Sequence, residues 1–195
     1  MTRAAIAGIL VGGRGARMGG RAKGLLAAPG GGTLLDRWRS VLKAADPAID
    51  VVLVGRREEY AAVDLPTLDD DPPGVGPLGG LLALLKHAQR AGREHALLLA
   101  CDMPSVSSAL VQRILTAAPA AVVAPRRDDA QGGLWEPLCA RYEPDRVLPI
   151  ALRRLADGRH ALQPLLVEAS ATPLSLSRAE AAQMQDWDVP ADVPM

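Results

Sequence analysis

Apolar residues in this chain come in short unbroken runs, and between most of them lie stretches whose apolar positions recur at helical spacing. A run without polar alternation reads as a strand buried on both faces, and the helical spacing reads as an amphipathic helix packed over such strands. Strands are predicted over 4–10, 50–54, 65–68, 95–101, 120–124, 135–142 and 172–176, with 95–101 as the central one. Helices are predicted over 34–45 with Thr33 as cap, over 78–91, from a Ser107 cap to about 118, over 144–156 and over 161–169. Shorter pieces fall at 57–60 and 178–183. Pro149 predicts a break inside 144–156 and Gly158 marks its end. Gly79 and Gly80 open the helix over 78–91 at a cost of about 0.8–1 kcal/mol each relative to alanine, so close packing or ligand approach must require them.

Strands alternating with helices define an α/β fold: three layers, α/β/α, around a mainly parallel, Rossmann-like sheet. Ligands of such sheets sit beyond the carboxyl ends of the strands. Three loops leave those ends, 11–22, 69–77 and 102–104, and they are expected to meet. With no internal repeat and no low-complexity linker, residues 1–195 read as one domain.

Composition narrows the picture. Aromatic residues make up 3% of the chain and Phe is absent, so the core must be built from Leu, Val, Ala and Ile. The formal net charge is zero, which excludes global attraction to nucleic acid or to anionic membranes and points to a small ligand held by a local charge cluster. Cys101 and Cys139 have no metal-ligand spacing and read as small core residues in a reducing compartment. No leader and no span of membrane length is seen, so the expectation is a cytoplasmic protein. His87, His95 and His160 are isolated, and Trp38 and Trp135 read as packing, with contact to a planar ligand the alternative for Trp135 beside the polar loop.

The chemistry concentrates in 10–23, LVGGRGARMGGRAK, where the chain leaves its first strand. Five glycines let successive amides converge on an anion, and Arg14, Arg17, Arg21 and Lys23 add positive charge. Lys23 precedes Gly24 rather than Ser or Thr, so this is no Walker loop, and Met18 stands where a dinucleotide fingerprint needs glycine. Asp102 ends the central strand, and Asp69, Asp70 and Asp71 begin another exit loop. Carboxylates there suit magnesium, which takes one or two of them together with substrate phosphates.

Leu10-Val11-Gly12-Gly13, Arg17-Met18-Gly19 and Lys23 resemble the signature of nucleotidyltransferases with the nucleotide-diphospho-sugar transferase fold, most closely the molybdenum cofactor guanylyltransferases. The likeness extends to an Asp ahead of Gly76-Pro77-Leu78-Gly79-Gly80, to Cys101-Asp102-Met103-Pro104, and to Glu136-Pro137-Leu138-Cys139-Ala140 near an acceptor pocket. Asp70 fits the first of these at the shorter spacing and Asp69 at the longer, with Asp70 preferred.

The resemblance implies a magnesium-dependent enzyme that moves GMP from GTP to the phosphate of molybdopterin and releases pyrophosphate. It implies nucleotide contacts from Leu10, Val11, Gly12, Gly13, Lys23, Asp70 and Asp102, metal ligation by Asp102 and Asp70, and catalytic roles for Lys23, Asp102 and Arg17. GTP and molybdopterin are the implied partners, with transient contact to biosynthetic or recipient proteins. Asp186 and Asp188 stand where many members carry an Asn pair, and Ala22 where many carry Asp. Acceptor identity therefore stays open, as do transfer from CTP, a sugar or alditol phosphate acceptor, and a non-catalytic nucleotide-binding or cofactor-delivery protein. Arg126 and Arg127, in a polar loop predicted over 126–133, read equally as exposed charges or as contacts to acceptor phosphates.

Overall fold

The structure is a computed structural model that describes residues 5–13, 19–127, 133–187 and 192. Among the described residues eight strands form one sheet: β1 (Ala5–Leu10), β2 (Asp50–Val54), β3 (Thr67–Leu68), β4 (His95–Ala100), β5 (Val122–Arg127), β6 (Leu134–Trp135), β7 (Cys139–Tyr142) and β8 (Thr172–Leu174). Their order is β3-β2-β1-β4-β7-β5-β6, with β8 paired to β5. β1 to β4 are parallel, and β8 is parallel to β5. β7 runs antiparallel to both β4 and β5, and β6 antiparallel to β5. The sheet is thus mixed but mostly parallel.

Helices cover both faces, and strand residues alternate between two cores. Ile6, Val52, Val54, Ala96 and Leu98 pack under α2 (Pro77–Arg90), α4 (Pro144–Ala156) and α5 (Leu162–Glu168). Ala5, Ala7, Ile9, Leu53, Leu97 and Leu99 pack under α1 (Leu34–Ala45) and α3 (Ser108–Thr116), with Met184 after α6 (Arg178–Ala182) on the same side. Burial on both faces is what removes polar alternation from these strands. Thr33 caps α1 in a reciprocal box with Asp36, and the Ser107 hydroxyl accepts from the amide of Leu110 at the start of α3.

Two expectations need correction. The stretch 135–142 is two strands, because Pro137 brings no amide to a ladder and the chain turns there. The Glu136 amide donates to the Pro125 carbonyl at 2.9 Å, and the Cys139 amide to the Glu136 carbonyl at 3.1 Å. α4 runs unbroken through Pro149. Pro149 and Asp145, whose carbonyl loses its helical partner, both lie on the exposed side, while Val147, Leu148 and Ala151 keep the opposite side buried. Water can serve the orphaned carbonyl, and core packing holds the helix together.

Candidate active site

The parallel strands end level. Leu10 stands beside Val54 and Ala100, and Val54 beside Leu68. Two residues beyond these ends come Gly12, Arg56, Asp70 and Asp102. Pairing continues one step as the Val11 amide donates to the Val54 carbonyl at 2.8 Å, and Gly12 then lies directly on Gly55. A Cβ on Gly55 would stand 2.6 Å from Gly12 Cα, and Gly55 has φ 88°, so both space and backbone demand glycine.

That close approach leaves room for Asp70, which leans from the β3 exit over β2 to the mouth of β1. Its Oδ2 lies 3.5 Å from where a Gly12 Cβ would be, and its Oδ1 3.6 Å from the corresponding point on Gly55. Burial, and then the charge of Asp69, raise the Asp70 pKa above its ordinary value. Its neighbours point elsewhere: Asp69 binds Arg56 at 2.6 Å, and Asp71 binds Lys86 at 2.8 Å, both at the surface. The glycines after the turn are explained by packing, since a Cβ on Gly79 would meet the Pro72 carbonyl oxygen at 2.4 Å and one on Gly80 would meet Leu10 Cδ2 at 2.5 Å.

Lys23 and Asp102 meet across the β1 and β4 exits, Nζ to Oδ2 at 2.7 Å, with side chains 16% and 14% exposed. Lys23 opens a single 3-10 turn, Lys23–Leu25, whose Gly24 amide donates to the hydroxyl of buried Tyr60 at 3.0 Å. Asp102 is fixed from the other side. The Trp187 amide donates to its carbonyl at 2.9 Å, while the Trp187 ring is buried against Ala28 and Leu34. Arg37 on α1 donates to the carbonyls of Pro104 and Val106 just beyond.

Of the residues singled out from sequence, Gly12, Gly13, Lys23, Asp70 and Asp102 surround this mouth. Leu10 and Val11 give their side chains to the two cores, so what they can offer a ligand is main chain. Arg14, Arg17, Met18 and Asp188 lie outside the described residues, as do residues 128–132 of the polar loop. β5 extends into that loop as far as Arg127. Sequence reasoning missed Arg37, Arg57, Tyr60 and Trp187 as supports. The one local signal was the polar segment 57–60 directly behind a strand exit.

Beside Met103 a cavity of about 190 Å³ is lined by Arg127, Trp135, Glu136 and Asp186. Arg127 pairs with Glu136, whose carboxyl is nevertheless pushed up, by burial first and also by the charge of Asp186. Arg126 stacks over Trp135, its guanidinium carbon 5.1 Å from the ring centroid. Cys101 and Cys139 are free and buried, and burial pushes both thiols up to about 12, which keeps them protonated and inert. Among the described residues no three His, Cys, Asp or Glu side chains gather as a metal cage. None of the described helices is long and apolar enough to cross a membrane.

A mostly parallel sheet that opens its first strand into a glycine-rich segment, and faces that opening with an aspartate and a lysine–aspartate pair, defines a nucleotide-handling α/β protein. The chain belongs to the MobA-like NTP transferase domain family, whose family model matches residues 7–172, and so to the nucleotidyltransferase enzymes. It is 34% identical over 175 residues to a molybdenum cofactor guanylyltransferase of Pseudomonas putida, covering 88% of this chain and 87% of that one. It is 37% identical over 168 residues to one of Pseudomonas entomophila, covering 83% and 81%. Among solved structures, molybdopterin-guanine dinucleotide biosynthesis protein A of Archaeoglobus fulgidus superposes with TM-score 0.74 over 96% of this chain and 94% of that one, at 21% identity. A 2-C-methyl-D-erythritol 4-phosphate cytidylyltransferase of Thermus thermophilus gives 0.64 over 95% and 94%, at 16% identity. The family and fold expected from the sequence motifs are thereby borne out.

Proposed function

We propose that this chain transfers GMP from GTP to the terminal phosphate of molybdopterin. An acceptor phosphate oxygen attacks the α-phosphorus, the bond from that phosphorus to the bridging oxygen breaks, and pyrophosphate leaves with the bond's electron pair. The observation that carries this reading is the pairing of Lys23 with Asp102 at the glycine-lined exit of β1, in a chain whose relatives bear the guanylyltransferase name.

In such transfers positioning and electrostatics do most of the work. Lys23 would neutralise the charge growing on the phosphate oxygens, and main-chain groups of Leu10, Val11, Gly12 and Gly13 would seat the nucleotide. Arg17 is assigned to the same phosphates on its motif position. The donor set fits magnesium: two hard carboxylates, Asp102 and Asp70, stand at the mouth with a cation already paired to one of them. When bound there the ion would supply charge neutralisation for the triphosphate. Asp70 is preferred to Asp69 because Asp69 is held on the surface by Arg56.

The acceptor would approach through the cavity beside Met103, with Arg127 as its cation. Glu136 and Asp186 place negative charge beside it, so acceptor phosphate binding should strengthen when Glu136 is protonated. The protein is read as a cytoplasmic enzyme that contacts cofactor-handling proteins transiently. The test is incubation with each of the four ribonucleoside triphosphates, magnesium and molybdopterin, followed by mass identification of any dinucleotide. A guanine dinucleotide from GTP supports the reading. Product from CTP alone overturns the nucleotide assignment, and binding without pyrophosphate release makes the chain a carrier.

A further inference from the structure

Arg57 lies three residues beyond the end of β2, and its guanidinium reaches back across the β1 exit. Nη1 donates to the Gly13 carbonyl at 2.8 Å, and Nη2 to the Gly20 carbonyl at 2.7 Å. Glu59 takes the remaining edge, accepting from Nε at 3.3 Å and also from Nη2. The Arg57 side chain is only 15% exposed, although Gly13 and Gly20 are themselves exposed. Just behind it Tyr60 accepts from the Gly24 amide, so one short segment after β2 supports the glycine-rich stretch at Gly13, Gly20 and Gly24.

A guanidinium is planar, permanently charged and presents its donors in a rigid fork, so two carbonyls bound to one such group are held at a fixed separation and orientation. In a trans peptide the amide N–H points opposite the C=O, so fixing the Gly20 carbonyl on Arg57 turns the Arg21 amide away from the guanidinium. Glu59 balances the charge, which leaves Arg57 directed at main chain rather than at a ligand. Resting on the nucleotidyltransferase reading, we propose that Arg57, steered by Glu59, is a positioning residue that sets the two ends of the glycine-rich segment for nucleotide binding. Binding depends on it and the chemical step does not.

The experiment compares wild type with Arg57→Ala, Arg57→Lys and Glu59→Gln, measuring GTP affinity calorimetrically with magnesium, steady-state KM and kcat for GTP, and melting temperature. Loss of two charge-assisted bonds to the segment's ends should raise KM and Kd for GTP by about ten- to a hundredfold in Arg57→Ala. The kcat at saturating GTP should stay within about threefold of wild type, the split expected when binding common to ground and transition states is lost. Arg57→Lys should fail to rescue, since one ammonium cannot span both carbonyls in the fork geometry. Glu59→Gln should raise KM in the same direction but less. Unchanged KM in Arg57→Ala and Arg57→Lys overturns the inference, as does full rescue by lysine, or a loss confined to kcat that tracks a lower melting temperature. A wild-type chain that neither binds GTP nor releases pyrophosphate instead removes the nucleotidyltransferase reading, and the inference falls with it.

Discussion

Replacing Lys23 by alanine separates two effects that the structure places on one atom pair. Lys23 Nζ lies 2.7 Å from Asp102 Oδ2, and both side chains are mostly withdrawn from water. A fully exposed pair contributes about 0–1 kcal/mol and a broken buried pair costs about 3–5, so this part-buried pair should cost about 1–3 kcal/mol when Asp102 is left behind. At about 2–4 °C per kcal/mol for a domain of this size, the melting temperature should fall by about 2–12 °C. A domain with the usual stability of about 5–15 kcal/mol stays predominantly folded after such a loss. Turnover should fall much further. Losing one preorganised donor to a developing phosphate charge costs about 2.7–4 kcal/mol, or a hundred- to a thousandfold in kcat. Pyrophosphate release at 25 °C with saturating GTP, magnesium and acceptor, read beside a melting curve, distinguishes the two effects. A folded Lys23→Ala protein with kcat within threefold of wild type would refute the role assigned to the lysine.

Asp70→Asn should raise stability at neutral pH while weakening magnesium-dependent GTP binding. Folding raises the Asp70 pKa above 3.8, so its charge subtracts stability near pH 7, and the deficit disappears as pH falls through the folded-state value. Melting curves should therefore show a gain for Asp70→Asn at pH 7 that vanishes toward about pH 3, and a gain independent of pH would contradict the assignment. Gly79→Ala gains about 1 kcal/mol of helix propensity but drives a Cβ to 2.4 Å from the Pro72 carbonyl oxygen. Backbone cannot yield as a side-chain tip can, so a net loss of about 1–3 kcal/mol is expected in urea unfolding, together with lower turnover because Asp70 is displaced. Cys101 and Cys139 should resist a thiol reagent at about pH 8 in the folded protein and react on unfolding, and rapid labelling of the native chain would contradict their burial.

The parts of this molecule that were legible in sequence are those where one physical requirement acts on adjacent residues. β1 and β4 are buried on both faces and show as unbroken apolar runs, and Thr33 and Ser107 satisfy helix amides within three residues. The turn at Pro137 was hidden because apolar Leu134 and Trp135 precede the Glu136-Pro137 pair and apolar Leu138, Cys139 and Ala140 follow it. Pro149 misled because propensity alone does not register which side of α4 carries the core. Asp69, Asp70 and Asp71 are equivalent in composition and separate only through Arg56 and Lys86, which reach the outer two from other elements. Arg57 and Tyr60 showed only as part of a polar segment for the same reason, since their partners Gly13, Gly20 and Gly24 lie 36 to 44 residues away along the chain.

Equilibrium binding of GTP to wild type, Lys23→Ala and Asp102→Asn, each with and without magnesium, is the most direct trial of a shared triphosphate site at the exits of β1, β3 and β4. Magnesium should tighten wild-type binding by at least tenfold, Asp102→Asn should erase most of that gain, and Lys23→Ala should weaken binding in both conditions. An affinity that responds to neither the ion nor either substitution would contradict the account.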